Sequence, residues 1–277
     1  MAKGIGLIGN FKGKVGNMVG YKLTDSNSGN TQGIRVYQPI VKNPKTAAQA
    51  EQRAKLAPIN ATYRALKMVI DRGNEGLPYG NKSRLAWLKQ AFKSEEMPWI
   101  EKGKMVTYPL GCQLTKGSLS GIGFQSNVDT VEINCDGVEE GATIATIGAL
   151  STALMAGYPF LKAGDQITLI QGGHFVNGLQ FEVKSFIIDT TSSEAIDGFS
   201  ANRNKIIWES LLGGDTASVI VSREGDAGEH LRSNSVLQIA ADILTTAPYD
   251  AASKTAAIES YMSSAAVNAD WAEESIQ

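Results

Sequence analysis

The hydrophobic periodicity of the chain changes near residue 104, and this change constrains the fold more than any other feature. Downstream of it, short apolar runs and apolar–polar alternation lie between Gly, Asp and Asn residues. A period of two is typical of strands with one buried face. We predict strands at residues 124–133, 166–170, 179–188, 205–210, 217–222 and 235–240. Residues 104–245 are therefore expected to form a mainly antiparallel, Ig-like β-sandwich domain.

Residues 43–103 carry the signals of a helical hairpin. Thr46 is the expected N-cap of the first helix, and Gln49 completes a capping box three residues later. This helix should run to about Asp71, and Pro58 is expected to kink or divide it, because proline has no amide hydrogen to donate. A second helix is predicted over residues 82–93.

The C-terminal segment, residues 246–277, is predicted to form an alanine-rich helix over residues 250–267, followed by a docked or frayed tail. The predicted fold class is thus α+β. Its parts are an N-terminal extended arm or β-hairpin, a helical hairpin, a β-sandwich and a C-terminal helix.

Glycine dominates residues 1–42, which contain eight glycines. Glycine costs conformational entropy, and it is typical of backbone that passes close to another surface. Residues 15–23 and 33–37 are predicted to form the two strands of a long hairpin. Because an isolated hairpin is only marginally stable, we expect residues 1–42 to act as an assembly arm that needs a partner surface.

The charge of the chain is divided along its length. Residues 1–104 contain 18 Lys and Arg against 7 Asp and Glu, whereas residues 105–277 contain 8 against 21, for a net charge of −2. The basic part could contact an acidic protein face, including that of a second copy, or phosphates without sequence specificity. The candidate contact residues are Lys12, Lys14, Asn17, Tyr21, Arg35, Tyr37 and Arg53.

No cofactor or metal site is predicted. Gly4, Gly6 and Gly9 match the spacing of the dinucleotide fingerprint, but they lack the preceding strand and following helix that direct amides at a pyrophosphate. Cys112 and Cys135 have no CxxC motif or histidine-rich neighbourhood, so we interpret them as free thiols.

No catalytic site is predicted either, and the chain is expected not to be an enzyme. The two histidines, His174 and His230, lie in turn-like sequence and are interpreted as loop residues at strand ends. Asp165 or Glu229 could serve as a carboxylate partner for a catalytic histidine, but no recognised spacing supports this. A pair of facing carboxylates, as a glycan-active enzyme would need, is not evident.

A membrane span is not expected. The 21 residues between Glu140 and Lys162 are uncharged, which is long enough to cross a bilayer. However, their apolar residues recur at helical spacing with threonines and serines between them, as in an amphipathic helix of a soluble core. The N-terminus lacks the apolar run of a secretory signal, so folding in the cytoplasm is expected.

Several segments of the chain resemble an uncharacterised family of proteins from gut-type Bacteroidetes and the phages that infect them. The resemblance covers most of the chain. It is carried by GNFKGKVGN (residues 9–17), GIRV (33–36), NPKTAAQ (43–49), QR (52–53), LTKGSL (114–119), AGDQITL (163–169), SR (222–223) and HLRS (230–233).

The resemblance implies a virion accessory protein of a crAss-like tailed phage, in a neck or tail ring or on the capsid. Its expected partners are further copies of itself and other virion proteins, and it is expected to reach the virion after folding in the host cytoplasm. The expected function is therefore that of a non-enzymatic structural component that assembles as a symmetric oligomer through its N-terminal arm. The alternative is a non-specific nucleic-acid-binding or packaging protein that uses the basic N-terminal half.

Overall fold

The structure is a computed structural model that describes residues 13–25, 29–37, 46–127, 129–225 and 228–263. The chain divides into two compact units, residues 1–44 and residues 45–277. Helices and antiparallel strands both occur in the described residues, which confirms the predicted α+β class.

The N-terminal unit is a three-stranded antiparallel sheet in the order β1–β2–β3. Its strands are β1 (Gly13–Val15), β2 (Met18–Asp25) and β3 (Gly29–Val36). A tight turn joins β1 to β2 at Gly16, whose φ of 57° favours glycine. The predicted hairpin is confirmed, but β2 and β3 pair as far as Asp25 and Gly29, well into the segment expected to be a turn. The remainder of the predicted arm lies outside the described residues.

The second unit begins with the predicted helices. They are α1 (Ala47–Ala65), α2 (Lys67–Ile70) and α3 (Asn81–Ala91). Thr46 caps α1 as predicted, and its hydroxyl accepts a hydrogen bond from the Gln49 amide at 3.4 Å. The prediction for Pro58 was wrong about where the helix divides, because α1 continues through Pro58 and ends before Leu66. Leu66, which separates α1 from α2, has a non-helical backbone. Its side chain is only 2% exposed, so the residue at which the helix is interrupted is packed in the core.

Ten strands, two further α-helices and a short 3₁₀ helix (Ile243–Thr245) follow in the described part of this unit. The strands are β4 (Cys112–Thr115), β5 (Phe124–Ser126), β6 (Thr130–Asn134), β7 (Gln166–Phe175), β8 (Gly178–Ile187), β9 (Phe199–Asn202), β10 (Lys205–Glu209), β11 (Thr216–Glu224), β12 (His230–Arg232) and β13 (Ser235–Ile239). The helices are α4 (Ile147–Gly157) and α5 (Ala251–Ser263).

These strands form two antiparallel sheets. The smaller has the order β5–β6–β10–β9, and the larger has the order β4–β13–β11–β7–β8 with β12 paired to β11. The predicted strand at residues 124–133 is instead a hairpin of β5 and β6, since Phe124 pairs with Ile133. The long hairpin of β7 and β8 runs in unbroken register from Gln166–Ile187 to Phe175–Gly178.

The larger sheet is the middle of three layers, because successive side chains of a strand point to opposite faces. Ile167 and Leu169 of β7 lie in a core shared with the smaller sheet and α4. Ile170 of β7 and Ile220 of β11 lie in a second core with Trp87 and other residues of α1 to α3. The result is a sandwich-like pair of sheets with a helical layer on the outer face of the larger one.

The apolar segment that could be mistaken for a membrane span forms α4, which is 11 residues long. Its Leu150 and Leu154 are fully buried in the core between the sheets. Among the helices of the described residues, none combines the length and hydrophobicity needed to cross a bilayer.

Candidate functional site

The structure places four of the seven predicted contact residues in the N-terminal sheet with their surroundings described. Lys14 lies in β1, Asn17 in the following turn, Arg35 in β3, and Tyr37 directly after β3. Tyr21 lies in β2, where its backbone pairs with Gly33. Lys12 lies outside the described residues, and Arg53 is an exposed residue of α1 in the other unit.

One face of this sheet carries two cations and an aromatic ring. Lys14 pairs with Val19, and Val19 pairs with Arg35, so these three residues share a face. The Lys14 ammonium nitrogen lies 3.6 Å from the centre of the Tyr37 ring, which is a cation–π contact. The Tyr37 amide donates a hydrogen bond to the carbonyl oxygen of Asn17 at 2.6 Å. Four of the predicted contact residues are therefore brought together, with Lys14 and Arg35 both exposed.

The opposite face of the sheet exposes apolar side chains. Met18 of β2 pairs directly with Val36 of β3, and their side chains are 40% and 74% exposed. Since water-exposed apolar groups gain free energy when a partner covers them, this face is suited to burial against another surface. The sheet thus offers one surface for anions and another for apolar contact.

A second group of polar and aromatic residues surrounds His174. This residue lies within β7 rather than in a loop, and its Nδ1 atom is hydrogen bonded to the buried carboxylate of Asp215. The imidazole ring stacks on Tyr108 at 4.7 Å with an interplanar angle of 7°. Asp165, which the sequence offered as a possible carboxylate partner without support from any recognised spacing, is instead bound by Arg223 at 2.6 Å. The antiparallel register of β7 and β11 brings Asp215 to His174 across the sheet.

The Asp215–His174 pair has the arrangement that could orient a catalytic histidine. In the described part of the chain, no serine, threonine or cysteine is hydrogen bonded to His174. Tyr249, an edge-on neighbour of Tyr108, donates its hydroxyl hydrogen to the Pro109 carbonyl oxygen at 2.7 Å. Burial raises the pKa of Tyr249, so its hydroxyl stays protonated and cannot act as a base. The cluster joins β7, β11 and the segment before α5 as a structural contact.

The second histidine, His230, begins β12, as expected for a histidine at a strand end. Its ring lies 5.7 Å from that of Tyr79. Within residues 46–127, 129–225 and 228–263, no cluster of three or more His, Cys, Asp or Glu side chains could hold a metal ion.

The two cysteines are free, buried thiols, which confirms the interpretation from the sequence. Burial raises the pKa of Cys112 to about 12, and burial also raises the pKa of Cys135. Because the thiolate is the reactive form of cysteine, both side chains are inert residues of the core.

No protein-family model, curated protein or solved structure is significantly similar to this chain.

Proposed function

We propose that this chain is a non-enzymatic structural component of a tailed bacteriophage virion, which assembles as a symmetric oligomer through its N-terminal sheet. The observation that carries the proposal is the amphipathic character of that sheet. It forms a compact unit of its own, with Lys14 and Arg35 on one face and exposed Met18 and Val36 on the other. A three-stranded sheet with exposed apolar side chains such as Met18 and Val36 needs a partner surface to bury them.

The charges of the two units favour a second copy of the chain as that partner. Residues 1–44 contain 6 Lys and Arg against 1 Asp or Glu, whereas residues 45–277 contain 20 against 27. The basic unit of one copy is thus attracted to the acidic unit of the next. Such heterologous contacts form a closed ring when the rotation between copies allows it.

The virion setting is supported by the resemblance of the N-terminal and central segments to the phage-associated family. The chain would fold in the host cytoplasm and then join neck, tail or capsid proteins in the particle.

The assembly proposal predicts salt-dependent oligomers of the full chain, measured by mass photometry. At low ionic strength we expect a mass of several copies, which falls as salt is raised, because the Debye length shrinks to about 8 Å at 0.15 M. The double variant Lys14→Gln/Arg35→Gln removes two exposed cations of the sheet and should shift the distribution to monomer at low salt. The control Lys82→Gln/Lys89→Gln removes two exposed cations of α3 and should assemble as the wild type does.

Two results would contradict the assembly proposal. One is a wild-type chain that remains monomeric at every salt concentration. The other is an oligomer whose mass does not change in Lys14→Gln/Arg35→Gln.

The second candidate, a nucleic-acid-binding or packaging protein, is favoured by the same face of the sheet. Lys14 and Arg35 could neutralise phosphates, and Tyr37 offers a ring for base stacking. If this is the function, single-stranded DNA should bind, and the slope of log affinity against log salt should fall by about one to two units in Lys14→Gln/Arg35→Gln. A chain that gives no gel shift at low salt would exclude it.

A further inference from the structure

A cavity of about 390 Å³ opens in the second unit, where α1 gives way to α2 above the outer face of the larger sheet. Its helical wall includes Arg64, Lys67 and Arg72. Its sheet wall comes from β4, β7, β8, β11 and β12 and includes Arg232. A cavity of this size is within the range of small-molecule sites in proteins.

The charge of this cavity differs in sign from that of the unit around it. Residues 45–277 carry more carboxylates than cations, with 27 Asp and Glu against 20 Lys and Arg. Of the described residues that line the cavity, four are Lys or Arg and none is Asp or Glu. The cations at these positions therefore create a local positive potential in an otherwise acidic unit.

Two carboxylates close to the cavity, Asp71 and Glu75, neutralise only part of its positive charge. Asp71 binds Lys67 at 3.3 Å and also accepts a hydrogen bond from the Tyr63 hydroxyl. Glu75 accepts hydrogen bonds from Ser118 and from the backbone amide of Arg232, rather than from the Arg232 guanidinium. Neither Asp71 nor Glu75 lines the cavity.

The sheet wall supplies groups that could orient an oxyanion. The guanidinium of half-buried Arg232 is held by the Ser222 hydroxyl at 2.9 Å, which fixes one cation in place. Thr168 and Ser185 pair with each other across β7 and β8, with 3.0 Å between their hydroxyl oxygens. Arginine forks and hydroxyls are the groups that proteins use to bind phosphate oxygens.

The rest of the lining is apolar. Met68 and Val183 are 77% and 47% exposed, and the buried Ile220 lies beneath them in the sheet wall. An inorganic ion alone would leave these side chains in contact with water, whereas a ligand with a short hydrocarbon part would cover them.

From this arrangement we propose that the cavity binds a small amphiphilic phosphoester, with its phosphate among Arg64, Arg72 and Arg232 and its apolar part on Met68 and Val183. The ligand is a small molecule, since the cavity measures about 390 Å³ and none of the described residues that line it has an aromatic ring on which a nucleobase could stack.

Calorimetry on the full chain with hexyl phosphate, methyl phosphate and hexanol tests the two halves of the proposed ligand. Hexyl phosphate should bind at least about tenfold more tightly than methyl phosphate, because it buries additional methylene groups. It should also bind at least about tenfold more tightly than hexanol, because only the phosphate reaches the arginines.

Substitutions of residues that line the cavity test whether hexyl phosphate binds there. Arg64→Gln/Arg72→Gln changes two exposed side chains and should weaken hexyl phosphate binding at least about tenfold. Val183→Asp places a carboxylate in the cavity and should abolish binding. The control Lys82→Gln/Lys89→Gln should stay within about twofold of the wild type. Circular dichroism confirms that each variant is folded.

The proposal is overturned if hexyl phosphate does not bind to the wild type, or if hexanol binds equally well. It is also overturned if folded Val183→Asp or Arg64→Gln/Arg72→Gln retains wild-type affinity, or if the control pair weakens binding as much as the cavity variants do.

Discussion

At the scale of single residues, segments that are distant in the chain contact one another and stabilise the fold. Glu75 accepts hydrogen bonds from the Ser118 amide at 2.8 Å and from the Arg232 amide at 3.1 Å. Gly117 is required beside them, because an added Cβ would lie 2.1 Å from the Arg232 carbonyl oxygen. LTKGSL and HLRS are therefore partners across the sheet, and Glu75 ties both to the helical layer.

A second pair of these segments meets at a buried ion pair. Arg223 binds both carboxylate oxygens of Asp165, at 2.6 and 2.7 Å, and also donates to the Phe160 carbonyl oxygen at 2.9 Å. The Asp165 carboxylate accepts a further bond from the Lys162 amide at 2.9 Å. Because a buried carboxylate needs such partners, the AGDQITL and SR segments are constrained by folding.

Glu75 gives a prediction about pH. Burial tends to raise the pKa of its carboxyl group, but the amides of Ser118 and Arg232 outweigh burial and hold the pKa below its ordinary value. A lowered pKa in the folded state stabilises the fold above the unfolded pKa, and that stability is lost as pH falls through the folded pKa. Glu75→Gln should therefore lower the free energy of unfolding by about 1 kcal/mol at neutral pH, and the two proteins should converge as the pH falls through the folded pKa of Glu75.

Urea unfolding of the wild type and Glu75→Gln between about pH 3 and 7 measures this difference. Glu101→Gln is a suitable control, since Glu101 belongs to an exposed pair with Lys104 and should contribute little at any pH. A difference between wild type and Glu75→Gln that is independent of pH would contradict the assigned role.

At the scale of elements, local sequence signals and core packing differ in how they set the ends of the helices. Thr46 and Thr146 cap α1 and α4 through hydroxyls that accept bonds from amides three residues later. The division between α1 and α2 has another origin, because it falls at buried Leu66 rather than at Pro58. Helix starts are thus encoded by adjacent residues, whereas this helix end depends on distant ones.

The N-cap of α4 provides a prediction about how much a single helix cap stabilises the fold. Thr146→Ala removes the acceptor that binds the Ala149 amide at 3.2 Å, so one amide at the start of the helix loses its partner. We expect the free energy of unfolding to fall by about 1 kcal/mol and the Tm by about 2–4 °C. Thr152→Ala, which removes only an exposed hydroxyl bonded to the Gly148 carbonyl oxygen, should have a smaller effect. Equal effects in thermal denaturation would argue against the cap.

At the scale of the whole molecule, the two units differ in how they can be stabilised. Residues 45–277 contain both hydrophobic cores, one between the two sheets and one between the larger sheet and the helices. The described strands of residues 1–44 expose Met18 and Val36. The larger unit is therefore expected to fold alone, whereas the smaller one depends on a partner.

Deletion of residues 1–44 tests this difference. The remaining chain should unfold in one cooperative transition, with a Tm within about 3 °C of the full chain, because both cores are retained. Under the proposed function it should also be monomeric at low salt. Calorimetry and mass photometry on the same sample measure the two properties, and a truncated chain without a cooperative transition would show that residues 1–44 are part of the stable fold.

Much of the architecture is predictable from the sequence because its signals are local. Period-two alternation predicted β8, β10, β11 and β13 at nearly their observed positions, but it predicted only the first half of β7, residues 166–170. It did not reveal β4, β9 and β12, which are only three or four residues long and are defined by their neighbours. The sheet order β4–β13–β11–β7–β8 joins strands distant in the chain, which no local pattern encodes.

The candidate site, too, was only partly predictable from the sequence. The sequence alone determined that the N-terminal part is basic and glycine-rich, and it made Lys14, Arg35 and Tyr37 candidate contact residues. Only the strand register decided that these three lie together, opposite an apolar face. Likewise, only the tertiary structure joined His174 to Asp215 and gathered the cations of the cavity. The physical reason is that residue type and periodicity are properties of neighbouring positions, whereas pairing across a sheet depends on which distant segments bury their apolar faces together.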